Sequence, residues 1–168
     1  MINSGNKLVK NPFRQYCLPL LLFLFLICQG SAAWSETVTW NVDADGEWHQ
    51  GSNWSTGLAP GSGDDVVIDR AAGVYTITVS SGVQYANSIA CMENLVITGG
   101  SLTVASTVQV SGQFAMEGGV LIDAVVQTAL EYSGVSGKLD GVTIEGDFII
   151  GEDSNASMEI LNDLTLNG

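Results

Sequence analysis

The chain has 168 residues, with 5 Lys+Arg against 18 Asp+Glu, 20 Gly and 46% apolar residues. Lys7, Lys10 and Arg14 all precede Trp34, so only Arg70 and Lys138 face the 18 acids of the remainder, a balance of −16. That balance excludes a nucleic-acid binder, which needs clustered cations to displace counterions; it disfavours an anionic membrane surface and favours cation partners.

Residues 1–33 read as a secretory signal peptide. Residues 1–16 form the positive region and 17–28, CLPLLLFLFLIC, an apolar run of 12. Ser31 and Ala33 then stand at the −3 and −1 positions of a cleavage site before Trp34. The run is too short to cross a membrane, which takes about 20 apolar residues. A lipid anchor on Cys28 is disfavoured by Ile27 before it. Export removes Cys17 and Cys28 and leaves Cys91, which cannot form an intramolecular disulfide. In SIACMENLVI it reads as a small buried hydrophobe.

From Trp34 onward the chain reads as all-β. No window sustains apolar residues at helical spacing. In VYTITV (74–79), Tyr75, Ile77 and Val79 share one face, and Val66, Val67 and Ile68 form a brief apolar run. Residues 34–90 are assigned to an N-terminal cap and first strands, and 91–168 to the coils of an incomplete β-helix.

A unit of apolar, any, apolar, polar, Gly recurs. It appears as Leu95–Gly99, Val108–Gly112, Val142–Gly146 and Leu164–Gly168. A three-residue strand points two side chains inward, and Gly then permits a sharp corner. Stacked coils of this kind give parallel strands around one apolar core. A β-sandwich is the competing architecture, but it prefers longer strands and more widely spaced turns. The pattern predicts Ile97, Val110, Ile144 and Leu166 inside, and Val96, Gln109, Thr143 and Thr165 outside.

Three stretches carry a resemblance. They are TWNVDADGEWHQGSNWSTGLAPGSGDDVVIDRAAGVYTITV (39–79), SIACMENLVITGGSLTV (88–104) and KLDGVTIEGDFIIGEDSNASMEILNDLTLNG (138–168). Together they resemble bacterial secreted and cell-surface repeat proteins, similar to autotransporter passengers and adhesins. The resemblance implies a right-handed parallel β-helix, an extracellular location and a structural or adhesive role. It supplies no active site. Relatives of that kind run on far beyond this length, whereas this sequence stops within a repeat unit. The partners it implies are further coils or modules, or cell-surface glycans.

Trp34, Trp40, Trp48 and Trp54 cluster near the start of this region, and no Trp occurs later. They fit an N-terminal cap over the first coil, each indole N–H finding an acceptor. Trp40, Trp48 and Trp54 equally suit a sugar-stacking platform, which needs at least two exposed rings. Asn41, Asp43 and Asp45, with Gly46, match the opening of a calcium loop, but Ser52 stands where a bidentate Glu belongs, so an Asp/Gly turn fits better. Asp64, Asp65 and Asp69 follow Pro60-Gly61-Ser62-Gly63 as turn residues. No carboxylate pair is marked by a neighbouring His or Arg, and Arg70 and Lys138 stand far apart. The sequence therefore implies no enzyme, no metal and no cofactor of its own; a polysaccharide-active enzyme completed by residues beyond 168 is a further alternative. Two glycosylation sequons, at Asn53 and Asn155, carry no weight at this length of match.

Overall fold

A computed structural model describes residues 35–151 and 155–168. The signal peptide expected over 1–33, with Cys17 and Cys28, and Trp34 after it lie outside the described residues.

Among the described residues the regular structure is all strand, apart from one short 3-10 turn at Gly51–Asn53. The first turn holds β1 (Thr37–Thr39) and β2 (Gly46–Glu47). The second holds β3 (Asp65–Ile68), β4 (Thr76–Val79) and β5 (Val83–Ala86). Then come β6 (Ser88–Cys91), β7 (Asn94–Ile97) and β8 (Ser101–Val104), followed by β9 (Thr107–Val110), β10 (Phe114–Met116) and β11 (Val120–Ile122). The last are β12 (Val125–Val126), β13 (Leu130–Tyr132), β14 (Gly137–Ile144), β15 (Phe148–Ile150) and β16 (Met158–Leu166).

Each strand pairs in parallel with the strand one turn away, giving a β-solenoid of about five turns with three faces. The second face is the six-stranded sheet β15-β13-β10-β7-β4-β2. The first and third faces join in one ten-stranded sheet because β14 runs across their shared corner. Its Lys138–Asp140 segment pairs with β11, and its Thr143–Ile144 segment with β12. Parallel neighbours throughout are incompatible with an antiparallel sandwich.

The period is visible along the third face, where Val83 stacks on Ser101, Ser101 on Val120 and Val120 on Lys138, so each of these steps is one turn. Inward side chains form columns through this register. On the first face the column is Val38, Val66, Ile89, Val108, Val126 and Ile144, each buried. On the second it is Val79, Ile97, Met116 and Tyr132; on the third, Leu102, Leu121 and Leu139. Alternation along each strand puts every second residue into these columns.

The corner between the second and third faces sets a steric limit. Gly100 and Gly119 have φ of +62° and +66°, in the left-handed region. A Cβ on Gly100 would lie 2.5 Å from the Gly82 carbonyl oxygen of the turn before, and one on Gly119 2.8 Å from that of Gly99. Glycine here meets both the conformation and the spacing of stacked turns.

Two expectations need correction. The recurring unit is not one structural position: Leu95–Gly99 belongs to the second face, whereas the other three units belong to the first. Any face followed by its corner gives that pattern, so the step from Leu95 to Val108 is the step from one face to the next. The step from Val108 to Val142 is also out of register, since Val108 stacks on Val126 and Val126 on Ile144. Ile97, Val110 and Ile144 are buried as expected, but Leu166 is 57% exposed. It stacks on Ile144 at an inward position, and no described strand covers its other side.

The columns predict a sharp contrast between adjacent residues. Ile144→Ala should lower stability by about 2–5 kcal/mol, as for a buried large-to-small change. Thr143→Ala, on the outward side, should stay within about 0.5 kcal/mol. Chemical denaturation of both variants measures this; equal losses would overturn the register.

Candidate functional site

The Trp cluster occupies the first turn. The path from Thr37 to its ladder partner Asp65 is much longer than the turns that follow. The excess forms a loop that folds back on the core, with Trp40 and Trp54 joined by an antiparallel bridge. Trp40, Trp48 and Trp54 are 1%, 0% and 2% exposed. Trp54 lies 5.0 Å from Trp40 at 89° and 4.9 Å from Trp48 at 66°, both edge-to-face arrangements. The Trp48 backbone N–H donates to the Thr78 carbonyl and so continues β2 against the second turn. The rings offer no coplanar, solvent-facing surface of the kind on which a sugar stacks.

Only one of the three indoles meets the expectation of a nearby acceptor. Trp54 Nε1 donates to the Trp48 carbonyl at 2.7 Å, while Trp40 Nε1 and Trp48 Nε1 are buried without a partner.

The acidic loop of Asn41, Asp43 and Asp45 serves as a clip. Arg70 donates through Nε to Asp43 Oδ1 at 2.7 Å, and its Nη2 makes an ion pair with the same oxygen at 2.5 Å. Asp45 Oδ1 accepts the Thr76 amide at 2.8 Å. Asn41 is held by its own backbone, its N–H donating to the Asn53 carbonyl. The two carboxylates therefore reach in different directions, onto a guanidinium and an amide. No group of three or more His, Cys, Asp or Glu that could hold a metal ion is found among the described residues.

Sequence reasoning missed Glu93. It stands at the corner between β6 and β7 and is 2% exposed. Its carboxylate accepts the Arg70 amide at 3.1 Å and the Tyr75 amide at 2.8 Å. These donors belong to the loop 69–75, which leaves the sheet between β3 and β4 and would otherwise carry unpaired amides. A charged residue inside the apolar SIACMENLVI was the available signal. Beside it Cys91 is buried, as expected, and desolvation pushes its thiol up to about 12, which makes it a poor nucleophile.

Asp65 ties three turns of the chain at one corner. It accepts Ser35 Oγ and Ser88 Oγ at 2.6 Å and Asn87 Nδ2 at 2.7 Å. These hydrogen bonds, Ser35 first, lower its carboxyl from 3.8 to about 2. Asp64 is a turn residue as expected, its Oδ2 accepting the Gly61 amide at 2.7 Å.

Comparison of the chain with protein-family models, with curated proteins and with solved structures finds no match.

Two measurements probe this region. Trp48→Ala should cost about 3–5 kcal/mol in denaturation, the range for a buried large aromatic, and the parent's three described indoles should resist an aqueous quencher. Ready quenching in a Trp34→Phe variant, which leaves only these three indoles, would overturn the buried cluster. For Asp65 the folded carboxyl is the stronger acid, so its contribution is complete above about 4 and lost as pH falls towards about 2. The stability difference between the parent and Asp65→Asn should therefore be largest above about pH 4 and shrink towards about pH 2. A difference constant over that window would contradict the assignment.

Proposed function

We propose that this chain is a secreted or cell-surface structural protein of adhesin-like type, a β-helical rod with no catalytic activity of its own. The observation that carries the reading is how the solenoid uses its chemical groups. The inward positions are filled by packing columns, and Asp43, Asp45, Asp64, Asp65 and Glu93 are all bound to groups of their own chain. The indoles suited to stacking on a glycan are in the core of the first turn. What the molecule offers a partner is length and an acidic, polar exterior, the properties of a spacer or display element. The three-part leader supports export, and the β-helical fold with its tryptophan-rich first turn supports the resemblance to bacterial surface repeat proteins.

Cell fractionation with N-terminal sequencing tests the reading. The exported protein should begin at or near Trp34 and be found outside the cytoplasm or on the cell surface. A chain that keeps Met1 and stays in the cytoplasm would overturn it.

A further inference from the structure

The first face carries a hollow at its corner with the second face, across β3, β6 and β9. Two rows of side chains border it. Val67, Ala90 and Gln109 stack on one another as outward residues of the ladder. Two residues further along each chain segment, Asp69, Met92 and Ser111 follow at the corner in the same order. Ala90 is the smallest of the six and stands in the middle of its row, so a space of about 320 Å³ opens over it.

The chemistry of this hollow is one-sided. Val67, Ala90 and Met92 supply an aliphatic lining. Ser111 Oγ donates to Met92 Sδ at 3.4 Å, so its proton is committed and its oxygen is left as an acceptor. Asp69 is exposed and brings a carboxylate, which only accepts when ionised. Gln109 adds a carboxamide oxygen. Three acceptors therefore rim an apolar floor, with one formal negative charge among them.

Asp69 must find its cation outside the chain. Its neighbour Arg70 is the natural candidate, but the guanidinium is taken by Asp43. The Arg70 amide is held in turn by Glu93, which is 2% exposed, and this fixes the backbone beside Asp69. Lys138, the other Lys or Arg after Trp34, is paired with Glu159 at 2.6 Å. His49 lies beside Glu47. The strongly acidic chain around the hollow attracts a cation further.

A primary ammonium on an aliphatic stem matches this set. Its three N–H groups meet three oxygens, and its methylenes cover Val67, Ala90 and Met92. The oxygens stand at separate positions around the floor, which suits a compact ammonium with rotatable donors more than a planar guanidinium. An amino sugar carries hydroxyls beside its ammonium, and the Gln109 amide is the one side-chain donor left to serve them. We propose that this hollow is a docking site for a lysine side chain of a protein partner. The inference concerns the outward surface and stands whether or not the protein is exported.

Amide chemical shifts of the isotope-labelled full chain test it, with acetyl-Gly-Lys-Gly-amide as the probe. Saturable shifts are expected at Asp69, Ala90, Met92 and Gln109, with an affinity of about 1–10 mM at about 0.15 M salt. The same peptide with its lysine Nε acetylated should bind about tenfold more weakly or worse. Asp69→Asn should weaken binding to a similar degree, whereas Glu117→Gln, which removes an exposed carboxylate elsewhere, should not. Ala90→Leu fills the hollow from an exposed position, so it should abolish the shifts while the protein melts as the parent does. Asp69→Asn, which keeps the side-chain shape, decides the case if Ala90→Leu melts lower. Five outcomes overturn the proposal. They are no saturable shift up to about 50 mM peptide, equal binding of the acetylated peptide, and binding that survives Ala90→Leu. Equal losses from Asp69→Asn and Glu117→Gln would mean attraction to the net charge only. Tighter binding of glucosamine than of the peptide would make the site one for amino sugars.

Discussion

The parallel ladder between successive turns is the constraint on which the rest depends. It holds neighbouring strands about 4.8 Å apart, so each residue is chosen against the residues one turn before and after it. The column from Val38 through Val66, Ile89, Val108, Val126 and Ile144 contains only β-branched side chains, which pack well on a pleated surface. The same spacing governs the corners. Gly100 and Gly119 bring backbone against backbone where no side chain fits. Where a loop leaves the stack, its amides lose their ladder partners, and carboxylates replace them. Glu93 does this for 69–75, and Asp45 for the start of β4.

The first turn poses a problem, because no strand among the described residues precedes it in the ladder to cover it. The extra residues between Thr37 and Asp65 solve it with three indoles. The energetic balance is favourable despite two unpaired N–H groups. A buried Trp removes about 150–250 Å² from water, worth roughly 4–6 kcal/mol. An unsatisfied buried donor costs about 1–3 kcal/mol. Burial therefore wins at Trp40 and Trp48 even without an acceptor, and Trp54 has its acceptor in the Trp48 carbonyl.

Much of this was legible in the sequence. Alternation in 74–79, short apolar triplets followed by glycine, and the early tryptophans pointed to an all-β solenoid with an aromatic first turn. The phase of the repeat was not legible, for a physical reason. Three faces with similar apolar triplets make the step between faces look like the step between turns. One corner was invisible as well. Asp123, Gly141 and Asn162 occupy equivalent positions between the third and first faces, with φ of 57°, 64° and 52°. All three residue types tolerate the left-handed region, so the structural repeat persists while the letters change. Glu93 escaped for the opposite reason: its role depends on a loop one turn earlier, and no local pattern announces such a partner.

The architecture also decides where chemistry can occur. The inward positions are taken up by the packed columns, so recognition must use the outward stripes and the ends. On the second face the stripe runs through Thr78, Val96, Ala115, Glu131 and Ile149, a flat and chemically mixed row with no convergent polar groups. Such a row suits extended, repetitive contact more than capture of a small molecule. The ends are different, because only there does the column periodicity break. One end closes its columns on a valine, a tryptophan and a glutamine, all buried. The other carries the same columns outward as exposed isoleucine and leucine.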